Sequence, residues 1–133
     1  MYTNKVIALF LFIFTMLSVS NVIAQEAEFE LLSKIIKTGN AKDLVKQFSK
    51  NVELNINGKE ATYSRAQAEA VLKDFFSKGS PEDFTFNHKG ASKAGLPYAI
   101  GEYTNSLGNY RVWIRLKVED GRNLVDEISF IKD

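Results

Sequence analysis

The chain has 133 residues, 25% of them charged, with a formal net charge of +1, one histidine and no cysteine. This near-zero charge excludes bulk electrostatic binding to nucleic acid or anionic lipid as the main activity, because both need a basic excess. The composition also excludes disulfides, thiolate catalysis and every metal site that needs two imidazoles. We therefore expect one small domain with no cofactor and no metal.

The first 24 residues have the organisation of a secretory signal peptide. Lys5 is the only charge in this segment, an apolar run over Val6–Val19 follows it, and Val22-Ile23-Ala24 fits a signal peptidase site. We expect cleavage after Ala24, export to the periplasm or the medium, and a single domain over residues 25–133. An uncleaved anchor helix is the alternative, although the polar second half of the segment argues against it. Because Gln25 rather than cysteine would begin the mature chain, a lipid anchor is not expected.

Two helices are predicted directly after this segment. Apolar residues at helical spacing over Phe29–Ile36 predict the first helix, and Gly39 can supply its left-handed end. Asn40 is the expected N-cap of a short second helix. The apolar stripe of this second helix is predicted to be Leu44, Val45 and Phe48.

A half-buried strand and a third helix come next. Polar and apolar residues alternate over Asn51–Asn57, which predicts the strand. Ser64 and Gln67 have the spacing of a capping box and open the helix, which Gly79 and Pro81 end. Its apolar face is predicted to be Ala68, Val71, Leu72 and Phe75. We expect the contact between this helix and the sheet to consist of Phe75, Phe84 and Phe86.

From Phe84 onward the apolar residues repeat with a period of two, in four runs separated by short turns. The runs are about Phe84–Gly90, Tyr98–Thr104, Tyr110–Val118 and Leu124–Ile131. They predict a meander of four antiparallel strands, with the early strand paired at its edge. Helices gathered first and strands last indicate an α+β fold with the helices on one face of a curved sheet.

This order of elements resembles the cone-shaped nuclear-transport-factor-2-like (cystatin-like) fold. Five segments carry a closer resemblance: Ile36-Lys37-Thr38-Gly39-Asn40-Ala41, Phe75-Phe76, His88-Lys89-Gly90, Tyr98-Ala99-Ile100-Gly101 and Tyr110-Arg111-Val112. They are similar to an exported bacterial family known as domain-of-unknown-function family 4783. The resemblance spans the predicted mature chain and implies the fold. It implies no activity, because the superfamily includes isomerases, dehydratases, ligand binders and dimerisation modules.

His88 and Glu102 are candidate acid-base groups. Strand parity places His88 on the face of Phe84 and Phe86, where it could act as a general base; the competing interpretation is a solvated or hydrogen-bonded histidine at a strand end. If Ile100 faces inward, Glu102 does too, and an apolar surrounding would raise its pKa. If the alternate residues of that strand face inward instead, Glu102 is exposed, as most glutamates are.

The register of the last hairpin decides the position of Asp126. A two-residue turn at Asp120-Gly121 would place Arg115 opposite Asp126 and Trp113 opposite Ile128. A three-residue loop over 119–121 would place Ile114 opposite Asp126 instead. The second register gathers the apolar residues of both strands on one face and puts Asp126 there, either as a pocket acid or at the rim of the sheet.

The opposite face of the same strand carries a stripe of basic and aromatic residues: Arg111, Trp113, Arg115 and Lys117. Trp and Arg are residue types that anchor interfaces, so Arg111, Trp113 and Arg115 are predicted interface residues, for a protein partner or for a homodimer through the sheet. Tyr63, Tyr98 and Tyr110 are predicted binding residues. We expect a non-catalytic module for a small apolar ligand or a protein partner. The alternative is an isomerase- or dehydratase-type enzyme that uses Glu102, Asp126 or His88.

Overall fold

Three helices and six strands make up the part of the chain that the structure describes. The computed structural model describes residues 2–133, with side chains for residues 3–14 and 21–133. In chain order the elements are α1 (Tyr2–Thr38), α2 (Ala41–Val45), β1 (Phe48–Ile56), β2 (Lys59–Ser64), α3 (Arg65–Lys78), β3 (Pro81–Ala91), β4 (Pro97–Asn105), β5 (Gly108–Glu119) and β6 (Arg122–Lys132).

The strands form one curved, unclosed sheet in the order β2-β1-β6-β5-β4-β3. β3 to β6 form the predicted antiparallel meander. β1 runs parallel to β6 and so pairs at the edge of the meander, as expected. The helices pack on one side of the sheet, which we call the inner face, and the opposite side is the outer face. The predicted α+β fold is confirmed.

Helix α1 continues without a break through the predicted cleavage site. Its apolar side chains over residues 6–14 are exposed, and Phe29 is the first buried side chain along the described part of the chain. Gly39, with φ of +67°, follows the end of the helix as predicted. Among the described residues, no helix has both the length and the apolar character needed to cross a membrane.

The predicted caps of α2 and α3 are present. Asn40 Oδ1 accepts a hydrogen bond from the Asp43 backbone at 3.0 Å. The Ser64 hydroxyl accepts from the Gln67 backbone at 3.3 Å, and the Gln67 side chain accepts from the Ser64 backbone at 3.0 Å, which completes the capping box. Phe48 was predicted to lie on α2, but the helix ends before it, at Val45. It begins β1, where its side chain is fully buried beside β6.

β2 was not predicted, and it pairs antiparallel with β1. The connection is a two-residue turn in which Asn57 and Gly58 have φ of +52° and +91°. Both residues in the left-handed region are typical of the tight turn that matches the twist of paired strands. The side chains of β2 are exposed or half-buried, so no apolar stripe marks the strand in the sequence. The early strand is therefore not an edge of the sheet, because β2 covers it.

The contact between α3 and the sheet is aromatic. Phe75 lies with its ring centroid 5.0 Å from Phe130, 5.3 Å from Tyr110 and 5.9 Å from Tyr103, all on the inner face. Phe84 and Phe86 were predicted to join Phe75 in this contact, but they lie outside these ring contacts. They stack edge-on at 4.7 Å, and Phe86 contacts Phe29 of α1 at 5.6 Å. The predicted cluster is thus divided between two helices.

Two of the bulges in the sheet change the faces of predicted site residues. In β3, Phe86 pairs with Gly101 but His88 pairs with Ile100, so Asn87 is the extra residue. In β6, Leu116 pairs with Val125 but Arg115 pairs with Glu127, so the extra residue is Asp126. The last turn is the two-residue one, with Glu119 opposite Arg122. Past the bulge neither predicted register holds, because Ile114 lies opposite Ile128.

Candidate functional site

A cavity of about 460 Å³ lies between the β1–β2 hairpin, α3 and the β4–β5 turn. Its apolar wall is formed by Leu54, Ile56, Tyr63, Val71, Phe75, Leu107 and Tyr110. Its polar residues are Asn57, Lys59, Asp74, Lys78 and Asn105. Alternation along β1 turns Leu54 and Ile56 inward. Helical spacing brings Val71, Phe75 and Lys78 to one side of α3.

The inner end of the cavity is neutral. Asn105 is 3% exposed, and its Oδ1 accepts a hydrogen bond from the Leu107 backbone at 2.8 Å, which holds the β4–β5 turn. A Cβ atom at Gly79 would lie 2.6 Å from Asn105 Nδ2, so a glycine is needed where α3 ends against this amide. Burial raises the pKa of the nearby Tyr103 phenol to about 12, against an opposing interaction with Asn105. Tyr103 is therefore a neutral phenol at physiological pH and supplies no base.

The mouth of the cavity carries the charges. Lys78 Nζ lies 2.9 Å from Asp74 Oδ2, an i,i+4 pair at the end of α3 whose two side chains are both mostly exposed. Lys59 is also exposed and stands at the first position of β2, directly after the turn. The site thus combines an apolar interior with two cations and one anion at its opening.

The three predicted binding tyrosines are divided between the two faces of the sheet. Tyr63 and Tyr110 line the cavity, and Tyr110 is only 3% exposed. Tyr98 lies on the outer face, stacked on Trp113 with centroids 4.5 Å apart and an interplanar angle of 22°. Two of the three residues therefore meet at one site. Lys59 and Leu107 also line the site and were not predicted.

None of the three acid-base candidates faces the cavity. Ala99, Gly101, Tyr103 and Asn105 are the buried residues of β4, which leaves Glu102 exposed on the outer face. The prediction that His88 shares the face of Phe84 is wrong, because the bulge at Asn87 reverses the parity of β3. His88 is exposed and its Nε2 lies 3.2 Å from the Tyr98 hydroxyl.

Asp126 is held in an ion pair rather than in a pocket. Arg115 donates to both of its carboxylate oxygens, from Nε and Nη2, each at 3.0 Å. The third nitrogen, Arg115 Nη1, lies 3.1 Å from Glu127. The hydrogen bond to Asp126 is the main reason that the pKa of Arg115 is raised. Asp126 thus serves a charge network on the outer face, contrary to the three-residue-loop register.

The predicted interface residues do lie together on the outer face. Arg111, Trp113 and Arg115 alternate with the buried Val112 and Ile114 along β5. Trp113 is half-buried, and its Nε1 is buried with no hydrogen-bond partner in the described part of the chain. Arg111 is exposed and lies 3.8 Å from Asp133. The stripe therefore combines Arg115, held by two carboxylates, with the exposed Arg111 and with Trp113, which stacks on Tyr98.

The chain matches one protein family over most of its length. The family described as "Domain of unknown function (DUF4783)" matches residues 29–130. A comparison with curated proteins finds no match.

Solved structures agree with this match. A DUF4783 family protein from Bacteroides fragilis is 27% identical, with a TM-score of 0.71 over 76% of this chain and 94% of that one. A DUF4783 family protein from Bacteroides ovatus is 26% identical, with a TM-score of 0.71 over 77% and 92%. An NTF-2-like protein of unknown function from Silicibacter pomeroyi is 12% identical, with a TM-score of 0.62 over 87% and 98%, and shows the fold alone.

Proposed function

The chain belongs to the DUF4783 family, whose description names no activity, and we propose that it is a non-catalytic module that binds a small apolar ligand. The ligand occupies the cavity between α3 and the β1–β2 hairpin. The observation that carries this proposal is the cavity itself. Its volume of about 460 Å³ and its wall of aliphatic and aromatic side chains are typical of sites for small molecules.

The positions of the titratable groups favour binding over acid-base catalysis. A general base must come within hydrogen-bond reach of the proton that it removes. Glu102 and His88 are exposed on the outer face, and Asp126 is bound to Arg115 there. Asp74 is the one carboxylate among the lining residues, and it is paired with Lys78 at the open mouth. Among the described residues that line the cavity, the carboxylate therefore lies at the mouth and not in the apolar interior.

A bulky residue at Val71 tests the proposal, because Val71 is half-buried and lines the cavity. Val71→Phe should fill part of the cavity and weaken the binding of a neutral apolar dye such as N-phenyl-1-naphthylamine. Val118→Phe is the matched control, since Val118 is 66% exposed and does not line the cavity. Equal dye binding by wild type and by both variants would contradict the proposal.

The outer face supports a second candidate, self-association or capture of a protein partner. Half-buried Tyr98 and Trp113 form a stacked pair beside Arg115, whose guanidinium is already fixed by Asp126. Aromatic and arginine side chains held in place are the residues that contribute most to interfaces. Such a contact would leave the cavity free, so the two candidates are compatible.

We also propose that the segment before Gln25 is a signal peptide that is removed on export. The exposure of the apolar side chains over residues 6–14 supports this, because exposed side chains are not part of the buried core. The first buried side chain, Phe29, follows the proposed cleavage site by a few residues.

A further inference from the structure

We infer that the ligand of the cavity is an anionic amphiphile, whose apolar body lies inside and whose acidic head group lies at the mouth beside Lys59. This inference rests on the proposed binding function and adds the chemical class of the ligand. The head group is a carboxylate, and the apolar body is an alkyl or aryl group.

The interior of the cavity is unsuited to a charged group. The interior presents aliphatic carbons, the phenol rings of Tyr63 and Tyr110 and the amide of Asn105. The charged residues among the described lining, Lys59, Asp74 and Lys78, are exposed at the mouth. Burying an unpaired charge in the interior would be costly, so a charged head group must stay at the opening. The apolar wall is then left for the body of the ligand.

The mouth of the cavity favours a negatively charged group. Lys78 and Asp74 pair with each other at 2.9 Å and largely cancel. Lys59 forms no ion pair with any described residue, so the mouth has an excess of one positive charge. An anion bound at this opening would be attracted by Lys59, and a cation would be repelled.

The turn between β1 and β2 also offers a hydrogen-bond donor to the head group. Asn57 adjoins Lys59 through the turn and also lines the cavity. Its Oδ1 accepts from the Lys132 backbone at 2.9 Å, which fixes the amide and leaves Nδ2 as its donor. A fixed amide donor next to an ammonium group is suited to the two oxygens of a carboxylate. The hairpin turn thus supplies both groups that the head group needs.

Three probes of the same chain length test the inference on the full chain: decanoate, decan-1-ol and decylammonium, each below its micelle concentration. Binding is followed by NMR through the methyl groups of Leu54 and Val71. Wild type should bind decanoate about two- to five-fold more tightly than decanol, the range of an exposed ion pair, and decylammonium most weakly. The preference for decanoate should shrink at high salt.

Variants of single lysines separate the charge from the cavity. Lys59→Ala should remove the preference for decanoate over decanol, and Lys59→Glu should favour decylammonium instead. Lys73→Ala is the matched control, because Lys73 is also exposed on the described surface but does not line this cavity.

The anionic head group and the apolar binding site can be refuted separately. Equal affinity of wild type for decanoate and decanol, or an equal effect of the Lys59→Ala and Lys73→Ala variants, would refute the anionic head group and leave the apolar site standing. No methyl shift at Leu54 or Val71 with any of the three probes would refute the binding site itself.

Discussion

Removing the ring of Phe75 should cost a large part of the stability of the domain. The side chain is 7% exposed and contacts Phe76, Tyr103, Tyr110 and Phe130 at centroid distances of 5.0 to 5.9 Å. Truncating a buried Phe to Ala costs about 3–5 kcal/mol. Because one side of the ring already faces the cavity, part of its surface lacks packing partners. We therefore expect Phe75→Ala to lower the free energy of unfolding by about 3 kcal/mol.

Urea unfolding measures this loss, and Trp113, the single tryptophan, supplies the fluorescence signal. The midpoint should fall while the slope of free energy against urea stays unchanged. Phe86→Ala is the comparison, because Phe86 is half-buried and packs on α1 rather than α3; its loss should be smaller, about 1–2 kcal/mol. A Phe75→Ala loss below about 1 kcal/mol would refute the account of the aromatic core.

Three further predictions concern pH, the outer face and processing. Burial raises the pKa of Glu28 against an opposing charge from Arg122, so the folded protein binds this proton more tightly than the unfolded chain does. Glu28→Gln should therefore be more stable than wild type at pH 7 and lose that advantage below about pH 4, as read from urea midpoints; an advantage that grows on acidification would contradict the sign. Trp113→Ala should weaken self-association or partner binding by about 2 kcal/mol or more in sedimentation experiments, while Glu102→Gln should leave cavity binding unchanged. N-terminal sequencing of the exported protein should identify Gln25 as its first residue. A membrane-bound form that retains Met1 would refute the signal peptide.

The sequence was sufficient for the elements whose signals are local. The capping box at Ser64, the N-cap at Asn40 and the left-handed Gly39 depend on residues within one turn of chain, and all three are present. The meander was also predictable, because its strands alternate apolar and polar residues between short turns. These signals need no knowledge of distant contacts.

β2 shows what a rule based on apolar stripes overlooks. The strand has no buried side chain, so its sequence shows no inward face. The signal that could have found it is the Asn57-Gly58 dipeptide, which is typical of a two-residue hairpin turn. With β2 in place, the hairpin and α3 enclose the cavity, and Lys59 becomes a lining residue. Missing the strand therefore meant missing Lys59 as a residue of the site.

The positions of His88 and Asp126 could not be obtained from alternation. Each lies at or directly after a bulge, where one extra residue exchanges the two faces of a strand. A bulge is decided by pairing with the neighbouring strand, which a single run of residues does not contain. Parity therefore predicted the buried faces of Phe84 in β3 and of Ile128 and Phe130 in β6, but it misplaced His88 and Asp126.

Native mass spectrometry of the protein purified from its own host tests the central claim most directly, because it reports bound ligand and oligomeric state together. The account predicts an added mass of a small organic acid on wild type and on Val118→Phe, and its loss on Val71→Phe. The unliganded mass alone in wild type and both variants would contradict the claim that the cavity holds a ligand.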